Sequence, residues 1–299
     1  MILGIDIGGT AVKFGVVDDK FSVVKTYSIP TETDKGDKHL VNTIVQKAKE
    51  IKKEISFDSI GIGSPGTIDA KNGIILRASN LPFENTHVTE IVERELSVPA
   101  YIANDARCAA AGELRAGLGR EYNNFIMLTL GTGVGGGIVI NKELYMGIDG
   151  RAGEIGHMII KCDGLSCPCG QNGCYEQYAS VTALIRETKA AIEKNPESLL
   201  AKIGKDDVNG KTAFDAKGKG CSVASEVVEN YIDCIAVGIS GLIRIFQPEA
   251  IVLGGAISNE GDNLLLPLKE KVTLPVEIHI SKLKNNAGII GAAALAAKL

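Results

Sequence analysis

The chain opens Met1-Ile-Leu-Gly-Ile-Asp-Ile-Gly-Gly-Thr-Ala-Val-Lys-Phe-Gly-Val-Val17. Apolar side chains alternate from Met1 to Ile7, the run breaks at Gly8-Gly9-Thr10, and an apolar run resumes from Phe14 to Val17, which is the pattern of a β-hairpin. A third strand over Val23 to Ile29 completes a meander. Glycines at 8 and 9 let backbone N–H groups approach an anion, Thr10 adds a hydroxyl, and Lys13 adds a positive charge within reach. Asp6, beside the turn, is placed to orient a hydrated Mg2+. The same residues also make an ordinary tight hairpin, so this stretch alone leaves both readings open. Its layout returns downstream, where Phe125 to Leu130 is an apolar strand, Gly131-Thr-Gly133 a turn, and Gly137 to Ile140 a strand. Two copies of strand, Gly/Thr turn and strand point to two related halves facing one nucleotide. Gly131-x-Gly133-x-x-Gly136 also fits the dinucleotide fingerprint, but that motif opens a helix and here a strand follows, which rejects a nicotinamide site.

Between the hairpins, Leu40, Ile44, Val45, Ala48, Ile51 and Ile55 recur at spacings of three and four and predict a surface helix over Asp37 to Ile55. A strand at Ile60 to Gly63 ends in Ser64-Pro65-Gly66, a polar loop spans Ala78 to Phe83, and a helix over Val88 to Leu96 leads to a strand at Ala100 to Ala103. Strand, helix, strand, helix in this order implies a mixed or parallel sheet with helices on its faces. The last strand ends in Asn104-Asp105, before a helix over Ala106 to Ala116. Ligands bind beyond the carboxyl ends of strands in open α/β sheets, and a carboxylate there can take the proton of an attacking hydroxyl. Asn and Asp are also preferred helix N-caps, and position alone does not separate the two roles.

Gly153 to Ser180 reads Gly-Glu-Ile-Gly-His-Met-Ile-Ile-Lys-Cys-Asp-Gly-Leu-Ser-Cys-Pro-Cys-Gly-Gln-Asn-Gly-Cys-Tyr-Glu-Gln-Tyr-Ala-Ser. His157, Cys167, Cys169 and Cys174 offer one imidazole and three thiolates, the ligand set of a closed structural zinc site. Glu154 and Glu176 flank the outermost ligands and suit a hydroxyl-rich substrate. Cys-x-Cys-x4-Cys is not the usual finger spacing, Cys162 is a fifth candidate, and a loop of free thiols is the competing reading. Gly164, Pro168, Gly170 and Gly173 favour a backbone wrapped about a metal.

Beyond this module, a helix is expected from Glu176 towards Lys194, a loop-rich excursion over Gly204 to Gly220, and a long helix over Val223 to Phe246, buried beyond Ile235. Gly204 to Thr212 resembles a phosphate loop but has five residues between its glycines and no strand before it. A strand at Ala250 to Leu253 precedes Gly254-Gly255, which admit either a flat ligand such as an adenine ring or another backbone. A helix over Leu264 to Val272, a strand at Val276 to Ile280 and an alanine-rich helix from Ala287 to Leu299 close the chain.

At 299 residues the length suggests about two domains, and 45% hydrophobic residues are ample for burial. A net charge of −4 argues against an extended phosphate backbone, hence no nucleic-acid partner. No apolar run approaches a membrane span, no secretory signal precedes the first strand, and the seven cysteines read as thiols or metal ligands, which together suggest the cytoplasm.

The motifs Asp6-Ile-Gly-Gly-Thr-Ala-Val-Lys13, Asn104-Asp105, Leu130-Gly-Thr-Gly-Val-Gly-Gly-Gly137, Gly153-Glu-Ile-Gly-His157, Cys167-Pro-Cys-Gly-Gln-Asn-Gly-Cys174-Tyr-Glu176 and Val252-Leu-Gly-Gly255 resemble the ROK family of repressors, open reading frames and sugar kinases. The resemblance covers essentially the whole chain. It implies an actin-like, hexokinase-type (ribonuclease H-like) duplicated α/β fold with two domains around a cleft. The expected small domain is 1–105 with the closing helix 287–299, and the large domain is 106–286 with the zinc module at 153–180. The resemblance further implies Asp105 as general base and Gly66, Asn80, Asn104, Glu154, His157 and Glu176 as sugar residues. Asp6, Gly8, Gly9, Thr10, Lys13, Thr132 and Gly133 then serve ATP and Mg2+, Gly254 and Gly255 lie near adenosine, and His157, Cys167, Cys169 and Cys174 hold zinc. The implied activity is ATP-dependent phosphorylation of a hexose, glucose first, by a homodimer. Kinases for N-acetylmannosamine, fructose and β-glucosides share the pattern closely. A sugar-responsive regulator and a non-catalytic sugar-binding protein are the readings from other classes.

Overall fold

The structure, a computed structural model, describes residues 1–78, 80–204 and 207–297. Ser79 of the polar loop, part of the stretch after Gly204 and the last two residues of the expected closing helix lie outside these. The opening hairpin forms as read: β1 (Ile2–Ile7) pairs antiparallel with β2 (Ala11–Val17), and β3 (Val23–Pro30) adds to β2. The register sets Asp6 opposite Lys13. Helix α1 (Asp37–Glu54) buries Leu40, Ile44, Val45, Ala48 and Ile51, the stripe that its periodicity marks, while Ile55 is its C-cap. After β4 (Ser59–Ser64), three short strands make a small antiparallel sheet: β5 (Thr67–Asp69), β6 (Ile74–Arg77) and β7 (Glu84–His87). The sequence reading contains no such sheet, because strands of three or four mixed residues carry too little alternation to detect. Helix α2 (Val88–Leu96), β8 (Ala100–Asn104) and α3 (Asp105–Ala116) follow. The first large sheet has the order β3-β2-β1-β4-β8, with β4 parallel to both β1 and β8.

The second half repeats this order. Strands β9 (Phe125–Leu130), β10 (Val134–Ile140) and β11 (Glu143–Leu144) are followed, after the cysteine module, by α4 (Glu176–Ala179) and α5 (Val181–Lys194). The single helix expected from Glu176 is interrupted at Ser180, whose backbone is extended and whose hydroxyl accepts the Ala183 N–H as an N-cap. Helix α6 (Leu199–Ile203) precedes the loop-rich excursion, which itself contains α7 (Thr212–Gly218), burying Ala213, Phe214 and Ala216. Helix α8 (Ser222–Phe246) buries one face along its length but exposes Val237 and Ile245, so it is not enclosed beyond Ile235 as expected. Then come β12 (Ala250–Gly254), α9 (Asp262–Lys271), β13 (Glu277–Ile280) and α10 (Ala287–Ala296). The second sheet runs β11-β10-β9-β12-β13, so each sheet places its fourth strand beside its first and its fifth beyond the fourth. No helix among the described residues is long and apolar enough to cross a membrane.

Packing divides the chain into two compact units, one of Met1–Met127, Gly137–Gly153 and Lys282–Leu299, the other of Leu128–Gly136 and Glu154–Ser281. Helix α3 falls in the first unit, on the other side of the boundary expected at residue 105. The reason is close helix packing: a Cβ on Gly291 of α10 would collide with the Cys108 carbonyl, and one on Gly112 of α3 with the Ala287 carbonyl. Glycines in the strands do the same for α10, since a Cβ on Gly4 or Gly61 would strike the backbone of Ile289 or Ala292. The rest of that unit's core is Leu3, Ile5, Phe14, Ile44, Phe57, Ile60 and Ile62 with their neighbours. Each such side chain contributes about 1.5–3 kcal/mol when fully buried.

Candidate active site and metal centre

In the first unit, the end of β1, the turn after it and the start of α3 bring several predicted residues together. Asp6 is half-buried, and its desolvation holds the carboxyl above the usual range against the opposing pull of Lys13 across the hairpin. Its oxygens lie at the start of α10, where a Cβ on Gly288 would approach them at 3.0 and 3.1 Å. Cys108 is fully buried, and its thiol is pushed well up by that burial and then by the charges of Asp6 and Asp105. Both acids therefore lie within electrostatic reach of the same buried sulfur. Asn104 is the N-cap of α3, its Oδ1 accepting the Ala106 N–H at 3.0 Å, while Asp105 is already the first helical residue. Asp105 Oδ1 also accepts from Ala106 N–H, at 2.9 Å, so capping is shared and does not depend on Asp105 alone.

Asn104 Nδ2 donates to the Gly66 carbonyl at 3.3 Å. Gly66 has φ +103°, and a Cβ there would collide with the Arg77 carbonyl, so glycine is required. Asn80 lies against the first turn, its Nδ2 3.2 Å from where a Cβ on Gly9 would be. Thr31, which the sequence reading does not single out, staples that turn: its Oγ1 donates to the Gly8 carbonyl at 2.6 Å and its N–H to the Thr10 carbonyl at 3.2 Å.

In the second unit, Glu176 at the start of α4 leans over the second turn. Its Oε2 accepts the Val134 N–H at 2.9 Å, and a Cβ on Gly133 would collide with the same oxygen. Val181 N–H and Thr182 Oγ1 donate to the carbonyls of Gly131 and Thr132 at 2.8 and 2.7 Å. Gly255 has φ +82° and is pressed on the backbone of Leu130, so its close approach serves another strand and lies beside the turn. Gly254 is the buried last residue of β12. Glu154 precedes a tight turn, its carbonyl accepting the His157 N–H at 3.1 Å.

His157, Cys167, Cys169 and Cys174 come together as one cluster, their ligand atoms all within 4.8 Å of one another. Cys167 Sγ is 3.7 Å from His157 Nδ1 and Cys169 Sγ is 3.5 Å from Cys174 Sγ. A tetrahedral zinc with bonds near 2.3 Å would separate its sulfurs by about 3.8 Å, so the donors fit in kind, number and spacing. Cys162 is exposed and outside the cluster. The wrap is built by backbone bonds, including Cys167 N–H to Gln171 carbonyl and Tyr175 N–H to Met158 carbonyl, and by Gly173 at φ +79°, where a Cβ would collide with the Lys161 carbonyl. The Cys169 thiol is drawn down, chiefly by the Gln171 N–H, whereas Cys174 is pushed up to about 12 by burial and then by its sulfur neighbours. A cation between the three sulfurs would offset their mutual repulsion as thiolates. Tyr175, between Cys174 and Glu176, is fully buried and donates to the Ile235 carbonyl of α8 at 2.9 Å, fixing the module to the unit's longest helix.

The model of the ROK family matches residues 2–299. The glucokinase of Thermotoga maritima is 34% identical over 98% of this chain and 96% of its own length. Among solved structures, a ROK family glucokinase from Streptomyces griseus in complex with glucose and AMPPNP superposes with a TM-score of 0.88 at 32% identity, covering 100% of this chain and 99% of that one. The ROK hexokinase of Thermus thermophilus superposes with a TM-score of 0.83 at 26% identity, over 99% of this chain and 98% of that one. The hexokinase-type α/β architecture expected from the motifs is thus the one found. With the family model matched over residues 2–299 and relatives of this identity, the chain belongs to the ROK family.

Proposed function

We propose that this protein transfers the γ-phosphoryl group of ATP to the 6-hydroxyl of glucose. The observation that carries the reading is the parallel register of one sheet, which sets Asp6 beside Gly63 and Asn104 beside Ser64, so that Asp6 and Asp105 come to the same carboxyl edge, with the Gly8–Thr10 turn beginning two residues after Asp6. Full-length similarity to glucokinases supports the choice of glucose. The likeness to a structure with glucose and AMPPNP supports ATP as donor.

In this reading Asp105 accepts the proton of the 6-hydroxyl as that oxygen bonds to the γ-phosphorus. The bond from the γ-phosphorus to the bridging oxygen breaks and ADP leaves. Gly66, Asn80, Asn104, Glu154, His157 and Glu176 hold and orient the sugar. The amides of the two turns, with Thr10 and Lys13, hold the phosphates, and Gly254 and Gly255 lie near adenosine. Asp6 is the group that would orient Mg2+, which when bound neutralises charge on the β- and γ-phosphates. His157, Cys167, Cys169 and Cys174 would hold zinc as a structural brace for Glu154 and Glu176. Most of the acceleration comes from positioning and charge stabilisation. A homodimer belongs to the same reading and rests on the family resemblance, while a cytoplasmic location rests on the sequence features given above.

The test is a coupled assay with Mg-ATP across glucose, mannose, N-acetylmannosamine, fructose, allose and cellobiose, with Asp105→Asn beside the wild type. Glucose should show the highest kcat/KM, and the variant should lose about 10²-fold or more in kcat. Turnover of none of the sugars, or a variant retaining more than about a tenth of kcat, would overturn the reading.

A further inference from the structure

The bonds that hold the second turn take up its carbonyl oxygens and spare two of its amides. Gly131 carbonyl accepts from Val181 N–H, Thr132 carbonyl from Thr182 Oγ1, and Gly133 carbonyl from Gly131 N–H at 3.0 Å; Val134 N–H is given to Glu176. Among the described residues, the N–H groups of Thr132 and Gly133 have no hydrogen-bond acceptor. A trans peptide is planar with its C=O and N–H on opposite sides, so a donor that grips the carbonyl of one residue also aims the N–H of the next. Val181 therefore directs the Thr132 amide, and Thr182 directs the Gly133 amide.

The first turn is built the same way. Thr31 Oγ1 grips the Gly8 carbonyl, which aims the Gly9 N–H, and that amide too has no acceptor among the described residues. In both halves one threonine hydroxyl removes a carbonyl dipole that would repel phosphate and turns the next amide outward. We propose that Thr182 and Thr31 are positioning residues for the nucleotide, each aiming a turn amide at its phosphates without touching it. In the second unit the donors follow directly from the cysteine module through Glu176, so the metal-braced segment orders the phosphate turn as well as carrying a sugar residue.

This inference rests on the proposed ATP-dependent reaction. The test uses the full chain and compares wild type, Thr182→Val and Thr182→Ser by calorimetric binding of Mg-AMPPNP and by steady-state kinetics. Thr182 is exposed, and valine keeps its shape while removing the donor, so folding is spared. Loss of one such bond should raise Kd for AMPPNP and KM for ATP about three- to tenfold, with KM for the sugar unchanged and serine restoring the wild-type value. Thr31→Val and Thr31→Ser should behave alike at the first turn. Wild-type values in both valine variants, or equal rises in KM for ATP and sugar, would overturn the inference alone. A wild type that neither binds AMPPNP nor transfers phosphate would overturn the proposed function and this inference with it.

Discussion

Gly238→Ala tests how Tyr175 holds the cysteine module to α8. Within a helix this change ordinarily stabilises by about 1 kcal/mol. Here the added Cβ would sit 2.6 Å from Tyr175 Cε1 and closer still to Cε2 and Cζ. Carbon atoms pack at about 3.5–4.0 Å, so the ring must retreat by roughly 1 Å or more. It has no room to do so, being 0% exposed with its hydroxyl bonded to the Ile235 carbonyl. Overpacking costs about 1–3 kcal/mol and the broken bond about 1 more, which outweighs the helical gain and leaves a net loss of about 1–3 kcal/mol. Calorimetric melting should show Tm lowered by roughly 2–5 °C. Because Tyr175 lies between Cys174 and Glu176, zinc content per chain should fall in the same variant. An unchanged or higher Tm would refute the reasoning and show that this part of the core yields.

Metal analysis of purified protein should find one zinc per chain; Cys162→Ser should keep it and Cys167→Ser should lose it to a chelator, whereas equal loss in both would redraw the ligand set. The pH dependence of stability should carry a signature of Asp6. Its carboxyl is held above the ordinary 3.8 in the folded chain because burial disfavours the charged form. The folded state therefore binds the proton more tightly than the unfolded one, and that contribution fades as pH rises from 3.8 through the folded value. Asp6→Asn should thus gain Tm relative to wild type between acid and neutral pH while losing transfer; parallel Tm–pH curves for the two proteins would contradict the burial argument.

The hairpins, the stripe of α1 and the clustering of His157, Cys167, Cys169 and Cys174 were legible because each is local. Alternation broken by Gly8-Gly9 needs only neighbours in the chain, and His157 to Cys174 lie close enough in sequence for backbone turns to gather them. The break at Ser180 was missed because an N-cap inside an apolar, helix-forming run looks like another helical residue until its hydroxyl finds Ala183. Helix α7 was hidden by its lysines, since the burial of Phe214 is not written in the charge pattern around it.

What the chain determined by itself was the repeated strand–turn–strand unit and the kinds of groups available to bind phosphate, metal and sugar. Which carbonyls those turns surrender was decided only by tertiary structure. Thr31 reaches Gly8 across 23 residues and Thr182 reaches Thr132 across 50. Hydrogen bonds over such separations depend on where whole strands and helices come to rest, and no periodicity records that.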